Sequence, residues 1–353
     1  MADSLEALRE RMRELDRALV GLAAERIALA RQVGEEKRRA ERPIVDYAQE
    51  RVVLERARAA AEAAGLDPKV AEAILVTLIR AAVSAQDQDS WRFASVGLGK
   101  TAVVVGGDGR MGRWFTRFLD DQGYQAGALD IQGSGDERAW AQAALPTADL
   151  VVYATPPAAT AALYEAMTPA PPSGVIVDIA SIKTPLIAPI RRLQAAGARV
   201  ASIHPMFGPS VVLLRDCDVV ICDTGDAGAM ETVAQLFRST TARLLNLPLD
   251  EHDRLMADVL TLAHANVIAF ALALPDTAVP VRSTTLGALQ TLAGNLVRES
   301  PDVYYEIQAL NPNSAGALDR LAGAIARVRD AVGMKDADAF RALMDEGRTK
   351  TNN

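Results

Sequence analysis

Between Ser4 and about Arg39, apolar residues recur at Leu5, Leu8, Met12, Leu15, Leu19, Leu22, Leu29 and Val33, separated by polar and charged positions. Alternating steps of three and four put them on one stripe of a helix of roughly 36 residues, about 54 Å long at 1.5 Å per residue. A helix longer than a small domain is wide needs a partner for that stripe. Arg26 interrupts the stripe between Leu22 and Leu29, and a cation there calls for an anion. Pro43 breaks the chain, and a second helix is predicted from about Asp46 to Ala64. Gly65 closes it, and Asp67-Pro68 opens a third that ends near Gln86. The polar, glycine-bearing stretch over residues 91–100 reads as a linker.

The period then changes. Short apolar runs (TAVVVG, YQAGALD, DLVVYAT, GVIVDI, ARVASI, DVVIC) alternate with helix-length segments, the signature of a parallel sheet covered by helices. From about Asp250 the chain is helical again, and the breadth of apolar sequence in VLTLAHANVIAFALAL suggests helices buried between subunits. By this reading no apolar run approaches the ~20 residues that span a bilayer. The expected organisation is a helical domain (1–90), the linker (91–100), an α/β domain (101–246) and a second helical domain (247–353).

Composition narrows the function. The 353-residue chain carries a formal charge of −7, which disfavours nucleic-acid or anionic-membrane partners and makes individual cations informative. Cys217 and Cys222 sit on opposite faces of a predicted strand. With only three histidines in the chain, a dedicated metal site has little material, so none is expected. An amino terminus that opens directly into charged helical sequence suggests a cytoplasmic protein.

The first strand of the α/β domain runs into Gly107-Asp108-Gly109-Arg110-Met111-Gly112, and the second ends in Asp130. A GxGxxG turn between strand and helix, with a carboxylate about 20 residues on, is the Rossmann dinucleotide fingerprint. The glycines let backbone approach a pyrophosphate, and the carboxylate can hold ribose hydroxyls. Asp130 would repel a 2′-phosphate, so NAD is favoured over NADP. The charges of Arg110 and Arg113 read as solvated, although Arg110 lies within the binding turn. Further on, His204 opens HPMFGP at the carboxyl end of a predicted strand, where open α/β sheets bind ligands. A neutral imidazole there suits the removal of a hydroxyl proton during hydride transfer.

HPMFGP, Asp178-Ile179-Ala180-Ser181-Ile182-Lys183 and Glu251-His252-Asp253 resemble the prephenate dehydrogenases, especially the bifunctional chorismate mutase/prephenate dehydrogenases. The resemblance implies that His204 accepts the ring-hydroxyl proton, that Ser181 orients His204 or substrate, and that Lys183 lies near the site. It also puts His264 near the substrate, while His252 reads as a helix-start feature. Where the family usually has an arginine for the ring carboxylate, this chain has Asn295, with Arg298 and Arg282 as possible stand-ins.

The amino-terminal helices resemble the all-helical chorismate mutases through ALRERM, LAAERIALA and VGEEK. Carried over by position, Arg9, Arg26, Lys37, Asp46, Glu50 and Gln86 line that pocket, and the long helices interlock in a homodimer. Gln49 and Ala82 replace the usual arginine and serine. The expected activity is rearrangement of chorismate to prephenate, then NAD-dependent oxidative decarboxylation to 4-hydroxyphenylpyruvate. The alternative is the analogous pair of reactions on 4-amino-4-deoxy substrates.

Overall fold

The computed structural model describes residues 5–39, 47–93, 96–131, 135–211, 214, 217–238, 240, 242–276, 281, 283–297 and 300–351. The amino-terminal helices are α1 (Leu5–Arg39), α2 (Tyr47–Ala63) and α3 (Pro68–Phe93), with α3 packed against both others. The third helix runs past Gln86 into the predicted linker, since nothing in Asp87–Phe93 is a glycine or proline that would stop it. Along α1 the stripe from Leu5 to Val33 remains between 50% and 64% exposed, so α2 and α3 do not cover it.

A seven-stranded sheet follows, in the order β2-β1-β3-β4-β5-β6-β7. The strands are β1 (Thr101–Val105), β2 (Gln125–Leu129), β3 (Leu150–Tyr153), β4 (Val175–Asp178), β5 (Arg199–Pro205), β6 (Asp218–Asp223) and β7 (Arg243–Pro248). The first five are parallel, as predicted. The expectation of a parallel sheet throughout fails at β6, which runs antiparallel to β5, and β7, a strand the sequence did not disclose, lies parallel to β6. Antiparallel pairing needs no crossover helix, and among the described residues no helix lies between β5 and β6.

Helix α4 (Arg110–Asp121) lays Trp114, Phe115, Phe118 and Leu119 on one sheet face. On the opposite face, α6 (Pro157–Met167) and α7 (Thr184–Ala195) bury Tyr164, Leu186, Ile190 and Leu193. Cys217 and Cys222 belong to opposite faces, as their spacing required.

The carboxyl-terminal part begins with a continuous helix: α9 (His252–Met256), a π-helical turn (Ala257–Thr261) and α10 (Leu262–Leu272). At the π turn, the buried hydroxyls of Thr261 and Ser314 are 2.9 Å apart. Contrary to the sequence expectation, His252–Leu272 is long and apolar enough to cross a membrane by length and hydropathy alone. Its first residues are instead hydrogen-bonded into the α/β domain, which ties its amino end to protein. Helices α11 (Thr284–Leu296), α12 (Pro301–Ala309), α13 (Ser314–Gly333) and α14 (Ala337–Thr351) complete the chain. No residue of α10 is buried within one chain, and Leu292, Val297, Ile325 and Val332 are each more than half exposed.

Candidate active site

The glycine turn starts one residue earlier than the fingerprint suggested. Gly106 has φ +80°, and a Cβ there would lie 2.8 Å from the carbonyl oxygen of Ala154, so the chain can turn only with glycine. A Cβ on Gly112 would fall 2.1 Å from the carbonyl oxygen of Gly106, so this glycine lets α4 close against the turn. Gly107 is buried, Met111 is half-buried, and Asp108, Gly109 and Arg110 face solvent. Gly109 caps α4 without any side-chain hydrogen bond, and the amino end of the helix is open to an anion. Asp130 follows β2 directly, and its Oδ2 accepts from the backbone N–H of Asp108 at 3.2 Å. An open helix terminus and a carboxylate at one sheet edge fit a dinucleotide, with pyrophosphate at residues 106–112 and ribose at Asp130.

At the same edge, β5 presents His204, only 4% exposed. The loop after it is held against the nucleotide helix: the Phe207 and Trp114 rings are 5.0 Å apart, and the Trp114 indole donates to the Val211 carbonyl at 2.8 Å. His204 is thereby fixed beside α4 by packing as well as by the strand.

A second ring completes the arrangement. Nδ1 of His204 is 3.0 Å from Nε2 of His252, and Nδ1 of His252 is 2.7 Å from Oδ1 of Asp253. His252 does start a helix, as its sequence context suggested, but it also lies directly behind the candidate base. Asp253 in turn accepts from the backbone N–H groups of Lys183 (2.8 Å) and Thr184 (2.7 Å) and from the Thr184 hydroxyl (2.6 Å). Its carboxylate thus sits on the amino end of α7, where backbone dipoles favour an anion. Asn311 donates to the Asp253 carbonyl at 2.8 Å, fastening the loop between α12 and α13 to the same point.

Lys183 lies close behind His204. It is fully buried and turned inward, its ammonium 2.6 Å from Oδ1 of Asp178 and 2.7 Å from the Ile203 carbonyl. An ammonium sealed beneath the sheet edge acts on the histidines through its field. Burial pushes the His204 pKa well below its ordinary 6.5, and the charges of His252 and Lys183 push the same way. Burial also lowers His252, partly countered by its hydrogen bond to Asp253, with Lys183 lowering it further. Asp253 ends below the usual carboxylate range because the hydrogen bonds it accepts outweigh its burial. Both imidazoles are therefore neutral at neutral pH and Asp253 is ionised.

Ser181 is half-buried in the turn after β4, and it is His252, not Ser181, that engages the His204 ring. His264 lies twelve residues beyond His252 on the same continuous helix, with its ring edge-on to Tyr304 at 4.7 Å. Burial lowers its pKa as well. Tyr304 lines a cavity of about 340 Å³ with Ile268, Leu296, Val297, Pro301 and Tyr305. Asn295, on α11, is exposed, and Arg282 and Arg298 lie outside the described residues.

In the helical domain Arg9 is exposed, Arg26 is half-buried and Ala82 is buried. Asp46 and the side chains of Lys37, Gln49, Glu50 and Gln86 lie outside what the structure describes. The sequence reading missed Gly106, Asp178, Thr184 and the role of His252-Asp253. The available signals were a fourth glycine directly ahead of the fingerprint and a histidine-aspartate pair opening an apolar helix.

The sheet and the chemistry along its carboxyl edge are those of a nicotinamide-linked dehydrogenase with an additional helical domain at its amino end. Residues 8–87 match the family described as chorismate mutase type II, and residues 118–246 match the prephenate dehydrogenase nucleotide-binding domain. The chain is 29% identical to a T-protein of Enterobacter agglomerans over 91% of its own length and 86% of the relative's. It is 33% identical to a 4-amino-4-deoxyprephenate dehydrogenase of Streptomyces pristinaespiralis, covering 70% of this chain and 89% of that one. Prephenate dehydrogenase from A. aeolicus, solved with hydroxyphenyl propionate and NAD+, shares the fold. Its TM-score is 0.57 at 15% identity, over 71% of this chain and 97% of that one. The chain belongs to the bifunctional chorismate mutase/prephenate dehydrogenase family, an isomerase joined to an NAD-dependent oxidoreductase.

Proposed function

We propose that the amino-terminal domain rearranges chorismate to prephenate and that the rest of the chain oxidatively decarboxylates prephenate to 4-hydroxyphenylpyruvate. The observation that carries the second step is the His204 imidazole. It is held neutral at the dinucleotide edge, with Nδ1 engaged by His252, and Nε2 is left for substrate. When bound, NAD+ supplies the sink for the hydride. Nε2 of His204 draws the proton from the ring hydroxyl, and loss of the ring carboxylate as CO2 leaves an aromatic product. The Gly106–Gly112 turn holds the pyrophosphate and Asp130 the ribose. Ser181, His264, and Asn295 or Arg298 border the substrate.

The rearrangement is unimolecular and needs neither nucleophile nor proton transfer, only the reactive conformer and a stabilised ether oxygen. Arg9 and Arg26 clamp the two carboxylates, Lys37 and Gln86 donate to the ether oxygen, and Asp46 and Glu50 accept from the ring hydroxyl. The half-buried placement of Arg26 on α1 supports this. The uncovered stripe of α1 and the exposed apolar faces of the last helices support a homodimer with interlocked mutase helices. We place the enzyme in the cytoplasm, free of nucleic acid and membrane.

A second reading, in which both reactions act on the 4-amino-4-deoxy analogues, is favoured by the relative from S. pristinaespiralis and by the neutral Asn295. A coupled assay separates the two. NADH appears from chorismate plus NAD+ under the first reading. Turnover of 4-amino-4-deoxychorismate with none of chorismate establishes the second.

A further inference from the structure

The hydrogen-bond chain behind His204 fixes every tautomer in it. Asp253 is ionised and can only accept, so Nδ1 of His252 must carry its proton. In a neutral ring that leaves Nε2 of His252 as a lone pair, facing Nδ1 of His204 at 3.0 Å. His204 must then donate from Nδ1, and its own Nε2 becomes the free base. The assignment follows from the carboxylate inward and needs no substrate. Without His252, the commoner Nε2–H tautomer of His204 would point a proton, not a lone pair, at the hydroxyl.

The same chain offers the incoming proton a second resting place. The Lys183 ammonium is bonded to the carbonyl of Ile203, the residue before His204, so an imidazolium at His204 forms beside a buried cation. One ring further on, an imidazolium at His252 is in contact with the Asp253 carboxylate. The titratable groups packed around the pair are Asp178 on β4, Lys183 ahead of α7, Cys222 on β6 and Asp253 on α9. Of the two anions among them, Asp178 already faces Lys183, whereas Asp253 faces His252.

We propose that His252 is a positioning residue and the second member of a proton relay, in which the proton taken by His204 is passed on to His252 and held there by Asp253. The step rests on the dehydrogenase reading above. The O–H bond of the substrate hydroxyl breaks and its proton bonds to Nε2 of His204. The oxygen's electron pair becomes the carbonyl π bond as the C–H pair departs to NAD+. The Nδ1 proton of His204 moves to Nε2 of His252, leaving a neutral His204 and an imidazolium paired with Asp253. Loss of CO2 sends its C–C electron pair through the ring to the carbonyl oxygen, which takes a proton back from Nε2 of His204 while His252 returns its own to Nδ1, so the product leaves as a phenol and the starting state is restored.

The test begins with the free protein. With three histidines in the chain, selective nitrogen-15 labelling resolves each ring by NMR. The expected result is an Nδ1–H tautomer for both His204 and His252, with His252 the first of the two to take a proton on acidification. An Nε2–H tautomer for His204, or first protonation at His204, overturns the relay. A His252→Gln variant then separates holding the ring from taking its proton, because the glutamine oxygen accepts from Nδ1–H but cannot be protonated. Its kcat with prephenate should fall on the order of 100-fold, with KM and NAD+ affinity within about twofold. The acid limb of kcat/KM should move to lower pH, since repulsion between two charged rings concerns only the second proton and the first has lost its better site. Wild-type kcat and an unmoved acid limb in that variant overturn the relay. Wild-type protein that does not oxidise prephenate defeats the functional reading instead, and the ring tautomers still decide whether the chain of protons exists.

Discussion

The ammonium of Lys183 lies 2.6 Å from Oδ1 of Asp178, with neither side chain exposed. Two charges placed in a dry interior are costly unless each keeps its partner, and removing one leaves the other uncompensated. Lys183→Met should therefore destabilise the α/β domain by about 3–5 kcal/mol, read as an earlier midpoint in urea. Lys183→Met combined with Asp178→Asn should recover most of the loss. Equal stability of the single variant and wild type would show that the pair is not held as described.

His204→Asn removes the base while leaving the glycine turn intact. Dehydrogenase turnover should drop by roughly 10²- to 10⁴-fold, the usual worth of a positioned general base. NAD+ affinity measured by fluorescence quenching should be unchanged. A variant that retains full turnover refutes the assignment of His204.

In the proposed site Asp130 carries the discrimination between cofactors. Asp130→Asn should weaken NAD+ about tenfold, equivalent to roughly 1.4 kcal/mol, and narrow the preference over NADP+, because the charge that repels a 2′-phosphate is gone. Competitive titration of both nucleotides measures the ratio, and an unchanged ratio contradicts the role.

Stability should depend on pH through the two buried rings. Their native pKa values are depressed below 6.5, so the unfolded chain binds more protons as pH falls past about 6.5. Stability present at pH 7 is then lost at up to about 1.4 kcal/mol per pH unit for each ring. The loss continues until the folded values are reached. Asp253, depressed from 3.8, adds its own loss only at lower pH. Thermal melts between pH 7 and 5 should show a falling Tm, and the slope should be smaller in His252→Gln.

Arg26→Ala should separate the two halves of the chain. Loss of a carboxylate clamp should lower mutase turnover by at least about 100-fold, while prephenate oxidation stays at the wild-type rate. Leu15→Glu, on the exposed stripe of α1, should shift the oligomer toward monomer in analytical ultracentrifugation. A dimer that survives this change has its interface elsewhere.

Local chemistry made much of this legible in advance. The three-four spacing from Leu5 to Val33 specified α1, the glycines at 107, 109 and 112 specified the strand-turn-helix, and HPMFGP at the end of β5 marked the candidate base. Each of these signals lies within a few residues, where backbone geometry and side-chain period act directly. What pairs across the chain was not legible. His204 and His252 are far apart in sequence, and only the docking of α9 against the carboxyl edge of β5 puts their nitrogens 3.0 Å apart. Lys183 read as a lysine near the site, and its direction was set by Asp178 and by the Ile203 carbonyl, on two neighbouring strands. The reversal at β6 was hidden for the same reason, since an apolar strand carries the same residues whichever way it runs. The sequence by itself determined most of the elements and the cofactor turn, and it singled out His204 as the candidate base. Tertiary structure decided which ring nitrogen that base presents, because a tautomer depends on partners that only folding brings within hydrogen-bonding distance.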